Sequence, residues 1–177
     1  TGLAVRLAEK LGLTEFLRVQ EILGTLTVNL EMIKSSILAS EYTAYVENEV
    51  LRPNMQVLLA VRASLTKYYD EALRAIAEFA SGSIVGVPDF REFENSDIAD
   101  LLKASMSSPL IHAEERALLL NLAWDITGES FGQRQRTYEF LHGGNPMWIK
   151  NMHWKNADLS KAYDMIDKVL ENAKAKK

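Results

Sequence analysis

The stretch from Thr127 to Arg134 combines small, polar and charged residues that could bind a ligand. Gly128, Glu129 and Ser130 follow one another, and Arg134 comes one helical turn later. A helix that presents these residues within two turns lets a flat ligand approach its backbone closely, because glycine has no side chain. Arginine can form forked hydrogen bonds with a phosphate or stack on a ring, although a single arginine more often lies on a solvated helix face.

Two other patterns suggest catalysis, and each lacks part of what its chemistry needs. Residues 128–132 form Gly-x-Ser-x-Gly around Ser130, but a hydrolase nucleophile needs a strand before this motif, and here a helical pattern precedes it. Glu139 and His142 form a Glu-x-x-His pair, but a di-iron bundle needs a second copy and two further glutamates. We therefore expect that Ser130 is not a hydrolase nucleophile and that His142 is not an iron ligand, and that both have ordinary structural roles. No metal site is expected.

Composition narrows the possible function classes. The chain has 177 residues, a net charge of -4 and no cysteine. Without a clustered basic patch, nucleic acid is not an expected partner. Without cysteine, disulfides and thiolate metal sites are excluded within this sequence. No uninterrupted apolar run reaches the ~20 residues of a membrane span and no signal peptide is visible, so we expect no membrane contact and a cytoplasmic location.

Helical spacing of apolar residues dominates the chain, and no strand alternation is convincing. The pattern predicts long helices over residues 13–47, 54–80 and 113–143, with shorter ones over 96–104, 146–154 and from 158 or 160 to the end. Gly82 is predicted to form a left-handed cap after the second long helix. The last helix is predicted to bury its apolar face, which consists of Tyr163, Ile166, Val169 and Leu170.

These elements predict an all-α, long-helix, up-and-down bundle that occupies residues 1–177 as one domain. Helices of roughly 27 to 35 residues would be about 40 to 50 Å long at 1.5 Å per residue. Rods of this length exceed what so small a chain usually buries alone, so an oligomer or a missing partner domain is expected. The chain also starts without methionine, which suggests a processed chain or a fragment of a longer protein.

Motifs spread over much of the chain resemble one known family. Residues 122–134, the pair Tyr138-Glu139 and the turn at 143–146 resemble the C-terminal domain of the 4-hydroxyphenylacetate 3-hydroxylase family. Residues 50–54 and 81–88 extend the resemblance towards the N-terminus. The chain departs from the family pattern where Glu129 separates Gly128 from Ser130, and where Asn145 replaces a common aspartate.

The resemblance implies a fold like the C-terminal domain of acyl-CoA dehydrogenases. It implies the oxygenase component of a two-component flavin monooxygenase, which takes reduced FAD from a separate flavin reductase. Such an enzyme hydroxylates a phenolic substrate, such as 4-hydroxyphenylacetate, ortho to its hydroxyl. The bundle would form the core of a homotetramer and part of the FAD site. Catalytic residues would lie in N-terminal domains that this chain lacks, so the chain alone is expected to be inactive.

The resemblance also assigns the cofactor-binding residues, which are Gly128, Glu129, Ser130, Phe131 and Arg134. Gly128 would let FAD approach the protein backbone closely, Phe131 would pack on a ring and Arg134 would offset the diphosphate charge. Arg62 is a weaker candidate for the same role. Two alternatives stay open, namely an iron–sulfur and FAD enzyme like 4-hydroxybutyryl-CoA dehydratase, and a non-catalytic helical assembly module.

Overall fold

The computed structural model describes residues 1–142 and 144–175. Its helices are α1 (Gly2–Lys10), α2 (Leu17–Tyr42), α3 (Met55–Ala80), α4 (Ala99–Met106), α5 (Ala113–Thr127), α6 (Ser130–His142), α7 (Pro146–Lys155) and α8 (Ser160–Ala175), with a small antiparallel hairpin of β1 (Tyr45–Glu47) and β2 (Val50–Arg52). Short 3₁₀ turns occupy Ser81–Ile84 and Phe90–Glu94. The predicted all-α bundle is confirmed.

The core lies where α1, α2, α3 and α5 meet. Its buried residues are Ala4, Leu7, Ala8, Val19, Leu26, Ala75, Ile76, Phe79, Ala80, Ile84, Leu120 and Ala123. Small residues on α1 and at the end of α3 allow the helices to approach closely. α2 and α3 run antiparallel, since the Asn29 amide bonds Glu71 at 2.7 Å and the Asn54 backbone N–H donates to the Ser40 carbonyl at 3.0 Å.

The first long helix is shorter than the sequence predicts. It begins at Leu17 instead of residue 13, and it ends at Tyr42 instead of residue 47. β-branched and aromatic residues favour the extended state in the next segment. Asn48 and Glu49 then both adopt positive φ, 51° and 62°, as a two-residue hairpin turn with a matching twist requires.

The second long helix confirms the prediction for residues 54–80, with a different ending. The Asn54 side chain caps its start by accepting the Gln56 backbone N–H at 3.0 Å. The left-handed residue after the helix is Ser81, with φ of 51°, and not the predicted Gly82. The chain turns one residue earlier than the glycine suggested, because Ser81 starts the 3₁₀ turn directly.

The third predicted long helix is two helices, α5 and α6, with a break at Gly128 and Glu129. Both backbone N–H groups at the break donate to the Trp124 carbonyl, at 2.7 and 3.0 Å, and the chain then restarts in a new direction. Gly143, the predicted end of this helix, lies outside the described residues. The predicted short helices are observed as α4, α7 and α8.

Two features of the helix surfaces differ from expectation. The predicted inward face of α8 is exposed, with Tyr163 at 62%, Ile166 at 52% and Val169 at 59% of full exposure. In the described part of the chain, α2 has the length and apolar composition that a membrane-spanning helix needs, although the sequence was expected to contain no such segment. One such helix is weak evidence for a membrane span, because core helices of water-soluble proteins and signal sequences meet the same criterion.

Candidate functional site

The five predicted cofactor-binding residues lie together at the junction between α5 and α6. Gly128 ends α5, Glu129 bridges the two helices, and Ser130 and Phe131 begin α6. Arg134 follows one turn into α6 and is exposed. The fold therefore brings all five into one short surface segment, and whether this segment binds a cofactor stays a prediction.

The two glycines of the junction have structural roles within the chain. A Cβ atom on Gly128 would lie 2.5 Å from two ring carbons of Trp124. A Cβ on Gly132 would overlap the Asp125 carbonyl oxygen and lie 2.7 Å from the Ile126 carbonyl oxygen. The space that these glycines leave is thus filled by Trp124 and by the backbone of α5, which lets α6 pack closely on α5.

Glu129 serves as the cap of α6. Its carboxylate accepts the Ser130 hydroxyl at 2.9 Å and the Phe131 backbone N–H at 3.4 Å. These hydrogen bonds, with that from the Ser130 hydroxyl first in importance, lower the pKa of Glu129 below its ordinary value. A negative charge at a helix N-terminus also interacts favourably with the helix dipole. The first turn of α6 is thus already occupied by the Glu129 carboxylate, to which the Ser130 hydroxyl is hydrogen-bonded.

The outer face of α6 carries the exposed groups of the site. Successive turns of the helix place Phe131, Arg134, Tyr138 and His142 on one side. Phe131 is 75% exposed, and the rings of Tyr138 and His142 contact each other in a tilted arrangement with a centroid distance of 4.4 Å. Among the described residues, no carboxylate lies within ion-pair distance of Arg134. This face offers aromatic surface and an available guanidinium.

A cleft separates the other side of α6 from α3. The two helices are linked across it by Arg136, whose Nε lies 2.9 Å from Oδ1 of Asp70. The cleft has a volume of about 350 Å³, and it is lined by the polar residues Thr66, Tyr69, Asp70, Gln133, Arg136 and Thr137 together with Phe140 and Leu141. Sequence reasoning missed Asp70, because no local pattern joins residues 66 positions apart.

Arg62 lies apart from the five junction residues. It borders a second hollow, of about 290 Å³, between α2, α3 and α7, whose walls include Ile33, Ile37 and Ile149. Glu139 and Phe140 of α6 also line this hollow, whereas none of the five predicted residues does. The structure therefore does not place Arg62 with the junction. No group of three or more His, Asp or Glu side chains suited to a metal ion occurs among residues 1–142 and 144–175.

Comparison with known families shows to which protein family the chain belongs. Residues 1–171 match the family model described as 4-hydroxyphenylacetate 3-hydroxylase C terminal. The chain belongs to this family. One family relative is the 4-hydroxyphenylacetate 3-monooxygenase oxygenase component of Geobacillus sp. (strain PA-9), 25% identical over 98% of this chain and 35% of the relative. The probable 4-hydroxyphenylacetate 3-monooxygenase of Bacillus subtilis (strain 168) is 30% identical over 93% of this chain and 34% of its own length.

Solved structures show the same fold. The oxygenase component of 4-hydroxyphenylacetate 3-monooxygenase complexed with FAD has a TM-score of 0.91 at 24% identity, over 99% of this chain and 37% of that one. A 4-hydroxybutyryl-CoA dehydratase from N. maritimus has a TM-score of 0.83 at 17% identity, over 96% of this chain and 34% of that one. Both solved structures thus contain the fold of this chain. The chain spans about a third of the length of the curated relatives that it matches.

Proposed function

We propose that this chain is the C-terminal bundle of the oxygenase component of a two-component flavin-dependent monooxygenase. The whole protein would hydroxylate a phenol such as 4-hydroxyphenylacetate ortho to its hydroxyl, using reduced FAD from a separate reductase. The match of residues 1–171 to the family model carries the proposal. The names of the curated relatives favour a monooxygenase over a dehydratase, whereas the fold itself is shared by both.

The residues of the junction fit FAD in part. Phe131 and Arg134 share an exposed face, so that a ring could pack on one while the diphosphate approaches the other. The Trp124 ring fills the space beside Gly128, and the Ser130 hydroxyl donates a hydrogen bond to Glu129. The Glu129 carboxylate would repel a phosphate placed at the start of α6. We therefore propose that the diphosphate binds along the outer face, near Arg134, rather than at the N-terminus of α6.

The bundle would supply binding and assembly, whereas the reacting groups would lie elsewhere. Reduced FAD would supply the electrons that the hydroxylation needs. Within this chain, Arg134 would hold the diphosphate and Phe131 would exclude water from one side of the cofactor. The helices would also form the core of a homotetramer, and residues 1–177 would constitute one domain of a longer protein. The cytoplasmic location stays a prediction.

The proposal is tested with the full-length protein that carries this chain, a flavin reductase and 4-hydroxyphenylacetate under ¹⁸O₂. The expected product is the catechol with one ¹⁸O atom, and the 177-residue chain alone is expected to yield none. Analysis of the same protein for iron and sulfide separates the monooxygenase from the dehydratase-like alternative. A bound iron–sulfur cluster without phenol hydroxylation would overturn the monooxygenase assignment in favour of the dehydratase alternative.

A further inference from the structure

The hollow between α2, α3 and α7, which Arg62 borders, has mainly aliphatic walls. The aliphatic side chains of α2 and of α3 recur at one-turn spacing, so each of these helices presents one continuous apolar face to the hollow. The six aliphatic side chains in the walls are Ile33, Ile37, Leu58, Val61, Leu65 and Ile149. The volume of about 290 Å³ is close to the lower limit for small-molecule pockets, about 300 Å³. The hollow therefore suits a small ligand with a branched aliphatic group.

Two charged groups of opposite sign line the same hollow, and neither is neutralised. Arg62 extends from α3 and Glu139 from α6. Among residues 1–142 and 144–175, no ion pair within 4 Å includes either side chain. Oε1 of Glu139 accepts a hydrogen bond from the Gln135 amide at 2.7 Å, and this neutral donor leaves the negative charge uncompensated. The hollow thus combines apolar walls with one available cation and one available anion.

These two charges restrict the chemistry of the ligand. A purely apolar molecule in the hollow would remove water from both charged groups without replacing it, which is unfavourable. A ligand with a single charge would pair with one group and leave the other unpaired. A molecule that carries a carboxylate and an ammonium group complements both, because a guanidinium forms forked hydrogen bonds with a carboxylate and a carboxylate accepts hydrogen bonds from an ammonium.

We propose that this hollow binds a branched aliphatic α-amino acid such as leucine. The carboxylate of the amino acid binds Arg62, its ammonium group binds Glu139, and its side chain packs against the aliphatic walls. An α-amino acid carries its two charges on neighbouring atoms of one small molecule, so it fits between two protein charges that do not pair with each other. None of the five junction residues lines the hollow, so this ligand is additional to the FAD of the proposed function.

Calorimetric titration of the full-length protein, without flavin, tests the proposal with three probes of the same shape. L-leucine carries both charges, 4-methylpentanoate lacks the ammonium group, and 3-methylbutylamine lacks the carboxylate. We expect saturable binding of leucine, and at least about tenfold weaker binding of each analogue, because each leaves one protein charge unpaired. No saturable binding of leucine at millimolar concentration would overturn the proposal and would indicate that another part of the whole protein fills the hollow. Equal binding of leucine and 4-methylpentanoate would also overturn it.

Two substitutions assign the charges of the ligand to the two side chains. R62Q is expected to raise the Kd of leucine at least about tenfold without weakening 3-methylbutylamine, and E139Q is expected to do the same without weakening 4-methylpentanoate. The matched controls are R91Q and E94Q, which remove one charge each from the exposed turn Phe90–Glu94. Both are expected to leave the Kd of leucine unchanged. Equal Kd values for R62Q and R91Q would overturn the assignment of the carboxylate to Arg62.

A third variant keeps both charges and removes the space. Val61 lies in the wall of the hollow, so the larger side chain of V61F occupies the volume that the amino acid needs. V61F is expected to abolish leucine binding, with the helix content measured by circular dichroism unchanged. Unchanged leucine binding by V61F would place the amino acid elsewhere and overturn the proposal. These readouts need neither flavin nor turnover, so their outcome leaves the FAD and hydroxylation proposals to be judged separately.

Discussion

Gly132 and Gly24 both lie inside helices, yet the structure predicts opposite effects for their replacement by alanine. A Cβ on Gly132 would collide with backbone carbonyl groups of α5, whereas a Cβ on Gly24 meets no atom within 4 Å. We expect G132A to lower the free energy of unfolding by about 1–3 kcal/mol through overpacking, and G24A to raise it by roughly 0.5–1 kcal/mol. Urea denaturation measures both, and equal effects would contradict the close packing of α6 on α5.

The carboxylate of Glu129 gives the start of α6 a dependence on pH. The pKa of Glu129 in the folded chain is below the ordinary 4.5 because the Ser130 hydroxyl and the Phe131 N–H bond its charged form. The cap is thus fully present above about pH 4.5 and is lost as the pH falls through the lower folded value. We expect NMR shifts of the Phe131 amide to titrate in this acid range, and to lose that step in E129Q.

Some of the junction could be predicted from sequence and some could not. The clustering of the five junction residues could be predicted, because residues so close in sequence stay close in any local structure. They are Gly128, Glu129, Ser130, Phe131 and Arg134. That Trp124 fills the space beside Gly128, and that Glu129 caps α6, depended on where α5 ends, and the continuous apolar pattern concealed that break.

At the scale of elements, the ion pair between Asp70 and Arg136 links α3 directly to α6 across their cleft. Both side chains are about half exposed, so solvent screens the pair and its coupling is expected to be at most about 1 kcal/mol. A double-mutant cycle with D70N and R136Q, followed by thermal denaturation, measures this coupling. A value several times larger would show that the cleft is closed to water in solution.

The helices themselves were predicted unequally, for physical reasons. α3 was predicted almost to the residue, because its wide apolar face is uninterrupted; the capping role of Asn54 became visible only in the structure. The hairpin after α2 was missed, because three-residue strands are too short to show alternation and their turn uses Glu49 at positive φ. The division into α5 and α6 was missed because helical spacing continues through the glycines.

At the scale of the whole molecule, Leu120 tests the core that unites α1, α2, α3 and α5. It is 1% exposed, whereas Leu118 on the same helix is 54% exposed. We expect L120A to lower the free energy of unfolding by about 2–5 kcal/mol because it leaves a cavity, and L118A to change it by less than about 0.5 kcal/mol. Similar losses for both variants would show that Leu118 is buried in an oligomer.

Helical periodicity alone predicted the class of fold, whereas it did not predict which helix surfaces remain exposed. The apolar face of α8 was expected to pack against the rest of the chain, but it is exposed. An amphipathic pattern indicates that one face of a helix is apolar, and it does not show which molecule packs against that face. The phenol substrate and FAD entered through family resemblance, since nothing in helix periodicity encodes them. The large exposed area of the chain is consistent with both the longer relatives and the proposed oligomer.

The most direct test of the account measures the binding of reduced FAD to the full-length protein, without oxygen, for the wild type, R134A and R91A. Arg91 is an exposed arginine paired with Asp89 at 2.9 Å, so R91A controls for the loss of one positive charge. A charge-assisted hydrogen bond contributes about 1.5–3 kcal/mol, so R134A is expected to raise the Kd roughly tenfold or more, with R91A unchanged. Equal affinity of R134A and wild type, or no flavin binding by the wild type, would contradict the account.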